Sequence, residues 1–108
     1  MAIVMLSAVT RIERKAATSF VFDTVNRLGG WIDDVHMYSN LMNTIRFTLP
    51  AGAYADLVAA LEAEAILVEP HAGLGELRDP AAERMGTLQL TFIHDEPDLK
   101  RDVPSVPG

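Results

Sequence analysis

The stretch Gly29 to Leu49, GGWIDDVHMYSNLMNTIRFTL, decides the fold of this chain because it contains two candidate strands joined by a short polar connection. In the segment Met42 to Leu49, apolar and polar residues alternate, which is the period of a strand with one buried face. The preceding segment, Trp31 to Tyr38, is rich in aromatic and β-branched residues, and the serine and asparagines between the segments favour a turn. The two segments therefore predict an antiparallel hairpin.

The first strand of this hairpin is predicted to contain a bulge. Ile32 and Val35 lie three positions apart, whereas residues on one face of a regular strand are separated by an even number of positions. An extra residue near Asp33 and Asp34 would let both apolar side chains reach the same core.

Helical patterns lie on both sides of the hairpin. Thr10 and Glu13 form a capping-box pattern, which predicts a helix over about residues 11 to 28 that stops at Gly29. After the hairpin, Pro50 opens a second helical segment. The residues at helical spacing are Ala17, Val21, Thr24, Val25 and Leu28 in the first segment, and Tyr54, Leu57, Val58, Leu61 and Ala65 in the second.

The run Ala2 to Val9 is apolar on both faces, which predicts a central strand that is covered on both sides. It has no basic flank before it and is too short to span a bilayer, so we expect neither a signal peptide nor a membrane span. Two helices of a small two-layer domain cover only one face of a sheet. The second face therefore requires another cover, for which we expect a second copy of the chain.

With a short strand at Ile66 to Val68, the element order becomes βαββαβ. This order predicts an α+β fold with a ferredoxin-like antiparallel sheet and two helices on one face. We expect one domain over residues 1–94 and an extended, proline-containing tail over residues 95–108.

An addition follows the ferredoxin-like unit. Residues 71–78 are predicted to form a loop, after which Asp79 and Pro80 open a short helix that ends before Gly86. Thr87 to Ile93 alternates and predicts a last strand, which we expect to extend the sheet edge beside the Ile66 strand.

Composition narrows the function classes. The chain of 108 residues is 49% apolar and 22% charged, as expected for one folded domain. Its net charge of −6 argues against binding to nucleic acid or to an anionic membrane, because both require a concentrated basic patch. The chain has no cysteine, so it has no disulfide, thiolate nucleophile or cysteine-based metal site, and we expect a cytoplasmic protein.

The three histidines show no specific catalytic or metal-binding pattern. Asp34 with His36, or His94 with Asp95 and Glu96, could bind a divalent metal ion, and His36 could act as a general base. Neither set has a recognised ligand spacing, so a solvated or hydrogen-bonded histidine is the expected state. We predict no catalytic residue, metal or cofactor.

The run VNRLGGWIDDV at residues 25–35, followed by IRFTL at residues 45–49 and a helix that carries Leu57 and Leu61, resembles the middle of an ACT domain. The resemblance covers roughly residues 2–70. ACT domains are small regulatory modules that pair through their sheets and bind amino acids or similar molecules near that interface. The resemblance thus implies a homodimer with a small-molecule site.

In ACT domains a ligand meets the segment between the first strand and the first helix. The resemblance implies that the ligand-binding residues are Thr10, Arg11 and Arg14 in that segment, together with Gly30, Trp31 and Asp33 at the start of the second strand. The family often has a Pro-Gly pair in the first of these segments, and this chain has no glycine between Thr10 and Ala16.

Two functions are therefore predicted. The first is a homodimeric ACT-like module that is not an enzyme and acts through a partner protein, with an amino acid or another small molecule as its ligand. The alternative is a small enzyme, an oxygenase or isomerase of the dimeric α+β-barrel type, with a pocket between helices and sheet. His36 and Tyr38 would be the first catalytic candidates in that case.

Overall fold

The computed structural model describes residues 3–69 and 79–93. These residues form an α+β fold in which two helices pack against one five-stranded mixed sheet. A short 3₁₀ helix, Ala51–Ala53, precedes the second α-helix. In chain order the elements are β1 (Val4–Thr10), α1 (Arg14–Arg27), β2 (Trp31–Ser39), β3 (Met42–Pro50), α2 (Tyr54–Ala63), β4 (Ile66–Val68) and β5 (Glu83–Phe92).

The predicted order of elements is confirmed as far as β4, and β2 and β3 form the predicted antiparallel hairpin. The strand order in the sheet is β2-β3-β5-β1-β4. The prediction that the last strand extends the sheet edge beside β4 was wrong, because β5 lies between β3 and β1. It runs parallel to β1, so the sheet is mixed and the ferredoxin-like order is not confirmed.

The length of β4 explains why β5 takes this inner position. Beside the three-residue β4, most backbone groups of a ten-residue strand would have no partner. Between β1 and β3, β5 pairs with seven residues on one side and nine on the other. The inner position therefore satisfies the hydrogen-bonding groups of β5 along both edges.

The predicted short helix after Asp79 was also wrong, because residues 79–82 form a turn and β5 begins at Glu83. The Asp79 side chain accepts a hydrogen bond from the Ala81 N–H at 3.1 Å. The carbonyl oxygens of Pro80 and Ala82 accept hydrogen bonds from the backbone of the 3₁₀ helix. Because these carbonyls accept hydrogen bonds from the 3₁₀ helix, they do not accept the hydrogen bonds from later N–H groups that a helix at this position would require.

Helix α1 begins later than predicted, with Glu13 rather than Thr10 as its N-cap. The two carboxylate oxygens of Glu13 accept hydrogen bonds from the N–H groups of Lys15 and Ala16 at 3.0 and 3.1 Å. These two bonds lower the pKa of the Glu13 carboxyl. Thr10 belongs to β1, where its hydroxyl donates to the Ala65 carbonyl at 3.0 Å. The predicted stop at Gly29 is confirmed, with φ of 92° there.

The predicted bulge in β2 is confirmed. Ile32 pairs with Phe47 and Asp34 pairs with Arg46, which leaves Asp33 as the extra residue. Ile32 and Val35 both pack against the core, as the spacing indicated.

Both helices lie on one face of the sheet, which we call the covered face. Alternate residues of β1, β3 and β5 point into this layer and form a single core with α1 and α2. The side chains that are wholly buried there include Val21, Ile45, Phe47, Leu49, Leu57, Leu61, Leu88 and Leu90.

The opposite face of the sheet, which we call the open face, has no cover in the described part of the chain. Strand β1 shows the difference, because Val4, Leu6 and Ala8 are buried whereas Met5 is 59% exposed. One face of this strand is therefore left open by the described residues, and its cover by a second copy of the chain remains a prediction.

Three predictions fall outside the described residues. These are the loop at residues 71–78, the boundary at residues 94 and 95, and the extended tail at residues 95–108. His71 and His94, and with them the second candidate metal set, are also outside this range.

Candidate functional site

The open face carries an apolar strip at one end, formed by Ile3, Met5, Trp31 and Met85. The register places Trp31 and Met85 on either side of Thr48, and Met5 beside Thr87. All four side chains of the strip are exposed, and Met85 is 50% exposed. A soluble protein rarely exposes a continuous group of large apolar side chains without a binding role.

The β2 bulge holds the tryptophan of this strip in place. The indole Nε1–H of Trp31 donates to Asp33 Oδ1 at 2.9 Å, and the Thr48 hydroxyl donates to Asp33 Oδ2 at 2.7 Å. The extra residue that bends the strand is thus also the acceptor that fixes the exposed ring. Since binding does not have to order this side chain, less conformational entropy is lost when it enters an interface.

Beside the strip lies a concavity of about 450 Å³, which we call the face pocket. One cross-strand row runs from Met5 through Thr87 and Arg46 to Asp34. Thr87 has a smaller side chain than its neighbours Met5 and Arg46, so the surface is depressed at β5 relative to the strands on both sides. The lining residues are Ile3, Met5, Asp34, His36, Tyr38, Thr44, Arg46 and Thr87.

The face pocket combines charge with an aromatic wall. The rings of His36 and Tyr38 are in contact, with centroids 4.6 Å apart and planes tilted by 39°. Asp34 and Arg46 are register partners. Even so, within the two described ranges no hydrogen bond or ion pair engages the Arg46 guanidinium. Asp34 and His36, the first candidate metal pair, both line this pocket.

Two further concavities lie where β1 and β5 end. The first, about 380 Å³, is mainly apolar and is bordered by Val9, Ile12, Leu67 and Ile93, with Thr10, Arg11 and Ala65. The second, about 360 Å³, is bordered by Arg11, Ile12, Glu13, Arg14, Asn40, Phe92 and Ile93. We call them the end grooves.

The structure brings together only part of the predicted ligand-binding set. Thr10, Arg11 and Arg14 border the end grooves, and Arg14 Nη1 lies 3.5 Å from Asn40 Oδ1. Trp31 pairs with Thr48 at the opposite end of the sheet, six residues along β3 from Met42. That spacing corresponds to roughly 20 Å. Thr10 and Trp31 therefore do not border one concavity in the described part of the chain.

Gly30 has a structural reason to be glycine. Its backbone lies so close to β3 that a Cβ would clash with the Thr48 carbonyl oxygen and with Leu49. Its N–H donates to the Val25 carbonyl at 3.0 Å, which closes the end of α1. These contacts account for a glycine at position 30 without any role in ligand binding.

One buried acceptor, the Asn43 side-chain oxygen, has no hydrogen-bond partner among the described residues. Asn43 is wholly buried, and its Nδ2 donates to the Thr18 hydroxyl at 3.0 Å, whereas its Oδ1 has no hydrogen bond in the described part of the chain. Asn43 does not line the face pocket or the end grooves. We therefore assign it no role in binding.

Over residues 3–69 and 79–93, no three histidine, aspartate or glutamate side chains are grouped as a metal ion would require. The same residues include no helix that is long and apolar enough to cross a membrane.

Comparison with models of known protein families, with curated proteins and with solved structures found no significant match to this chain. The resemblance to ACT domains therefore remains a prediction.

Sequence reasoning missed Arg46 and the hydrogen bonds of Asp33. The alternation of Thr44, Arg46 and Thr48 places these residues on one face, and that pattern is visible in the sequence. Which side chains of β2 they meet depends on the register, and the register depends on the position of the bulge.

Proposed function

We propose that this chain is a homodimeric, ACT-like regulatory module whose two copies pair through their open faces and which binds a small molecule. The observation that carries the proposal is the apolar strip on a sheet face that the chain's own helices leave uncovered. The module would act through another protein, because the open face and the concavities are suited to binding rather than to a reaction.

A second copy suits the strip for two reasons. Pairing through a two-fold axis brings the same patch of both copies together, so a patch of apolar side chains meets an apolar patch. The Trp31 ring of the strip is also fixed by its hydrogen bond to Asp33, so less conformational entropy is lost when it enters an interface.

The face pocket and the end grooves are where a small molecule would bind. Their volumes, about 360 to 450 Å³, lie within the range of pockets for small ligands. Each joins apolar walls to at least one arginine. Arg11 and Arg14, from the predicted set, border the end grooves.

The alternative, an enzyme with a pocket between helices and sheet, has less support. Phe47, Leu57 and Leu61 fill that space and are wholly buried. The concavities described above lie on the open face and at the strand ends instead. His36 and Tyr38, the catalytic candidates of that alternative, line the face pocket and do not lie between helices and sheet.

Pairing is tested by sedimentation equilibrium on the unmodified chain and on Met85→Glu. We expect a dimer at micromolar concentration for the unmodified chain. Met85 lies in the strip but does not line the face pocket, so its replacement tests pairing alone. Burying an unpaired carboxylate costs several kcal/mol, so the dissociation constant should rise about 100-fold or more.

Met37→Glu is the matched control. Met37 is 56% exposed, against 50% for Met85, and it pairs with buried Asn43 on the covered-face side of β2. We expect this variant to remain a dimer. A monomeric unmodified chain, or equal loss of pairing in both variants, would contradict pairing through the open face.

A further inference from the structure

We propose that the face pocket binds a small, flat organic monoanion, with Arg46 holding its carboxylate and the rings of His36 and Tyr38 lying against its apolar body. This proposal deepens the proposed function and rests on its premise that the module binds a small molecule. It assigns the site to the open face rather than to the segment between β1 and α1.

The ligand is inferred to be an anion because no described group accepts a hydrogen bond from the Arg46 guanidinium. A guanidinium presents five N–H donors in a planar fork that matches a carboxylate. No described residue accepts a hydrogen bond from this side chain, although Asp34 is its register partner. An available fork at the wall of a concavity is suited to bidentate binding of a carboxylate.

The flat, apolar body of the ligand is inferred from the other side chains that line the face pocket. Ile3 and Met5 present alkyl and thioether groups on one side, and the His36 and Tyr38 rings stand on the other. A flat ring between these walls would contact an aromatic surface and an apolar surface at once. The hydroxyls of Thr44 and Thr87, which also line the pocket, can meet polar substituents at its edge.

The charges around the pocket limit the ligand to a single negative charge. Asp34 lines the same pocket, Asp33 lies next to it in the chain, and the chain as a whole carries −6. A polyphosphate or a nucleic acid would bring several negative charges close to these carboxylates. A monocarboxylate needs only one guanidinium.

Benzoate is a suitable probe because it joins a carboxylate to a flat ring. Titration calorimetry with the full chain should show benzoate binding, while benzamide, which has the same shape and no charge, should bind at least about tenfold more weakly. Arg46→Gln should lower the benzoate affinity at least about tenfold and remove the preference over benzamide.

Arg27→Gln is the control for loss of one positive charge. Arg27 is exposed at the last turn of α1 and belongs to none of the three concavities. This variant should bind benzoate as the unmodified chain does. Amide shifts in a ¹⁵N-labelled sample should be largest at His36, Thr44 and Thr87.

The outcomes separate this proposal from the proposed function. Loss of benzoate binding in Arg14→Gln but not in Arg46→Gln would place the ligand in the end groove, which would overturn this proposal and leave the module function standing. No benzoate binding, or equal binding of benzoate and benzamide, would also overturn it. If Arg46→Gln weakened only the dimer, the guanidinium would serve pairing and the proposal would be wrong.

Discussion

The two faces of the sheet are formed by the same strands but differ in burial and in composition. On β3, Ile45, Phe47 and Leu49 are wholly buried under the helices, whereas Arg46 is exposed on the other side. The covered face is apolar except for buried Thr10 and Asn43, while the open face mixes an apolar strip, an aromatic pair and two opposite charges. The covered face therefore accounts for the stability of the fold, and the open face is where we propose binding.

The largest predicted effect tests this division on neighbouring residues. Phe47→Ala should lower the free energy of unfolding by about 3–5 kcal/mol, because it removes a large side chain and leaves a cavity. Arg46→Ala, one residue away on the open face, should change it by less than about 0.5 kcal/mol. Urea unfolding followed by circular dichroism measures both. Similar losses in the two variants would show that the two faces do not differ in their contribution to stability.

A smaller effect is expected when the covered face is overpacked. A Cβ on Gly86 would lie 2.6 Å from the Tyr54 hydroxyl oxygen and 2.9 Å from a ring carbon of Phe47. The Tyr54 hydroxyl cannot move away freely, because it donates to the Arg84 carbonyl at 2.8 Å. Gly86→Ala should therefore cost about 1–3 kcal/mol despite the smaller entropy of the unfolded alanine chain.

Gln89→Ala is the open-face counterpart on the same strand. Gln89 is exposed, and its one described hydrogen bond is to the Met42 sulfur. Its replacement should change the free energy of unfolding by less than about 0.5 kcal/mol. If Gly86→Ala were as harmless as this control, the ring contact between Phe47 and Tyr54 would not be tightly packed.

The smallest effect concerns the start of α1, which provides part of the cover. The lowered pKa of Glu13 means that the folded state favours its carboxylate, so the cap stabilises the fold above the ordinary value of 4.5. This contribution is lost as the pH falls through the lowered pKa of the folded state. Glu13→Gln should lower the melting temperature at pH 7, and the difference should disappear in acid.

Thermal unfolding from pH 7 to pH 2 measures this effect. Glu62→Gln, which removes an exposed carboxylate from α2 and leaves both cap hydrogen bonds in place, is the control. A difference between Glu13→Gln and the unmodified chain that did not depend on pH would show that the charge of the cap has no role.

Local features of the fold could be predicted from the sequence because their causes are local. The alternation in β3 reports its buried face, and the odd spacing of Ile32 and Val35 reports the bulge. It was harder to predict which of two nearby side chains would cap α1. Thr10 has the usual capping side chain, but it stays in β1 and Glu13 caps the helix instead.

Partners that lie far apart in the chain could not be predicted. The alternation of Leu88, Leu90 and Phe92 shows which face of β5 is buried but does not show which strands are its neighbours. The same limit applied to the binding site. The resemblance places Trp31 and Thr10 in one ligand-binding set, and only the register shows that they are separated along the sheet.

The methionines allow the most direct test of pairing through the open face without any substitution. Met5, Met42 and Met85 lie on the open face by strand register, whereas Met37 lies on the side of the helices. A mixed sample, in which half of the chains carry ¹³C-labelled methionine methyls, reports contacts between the two copies through isotope-filtered nuclear Overhauser effects. We predict contacts between copies for Met5 and Met85 and none for Met37. Contacts at Met37 without contacts at Met5 or Met85, or no contact between copies at millimolar concentration, would contradict the account.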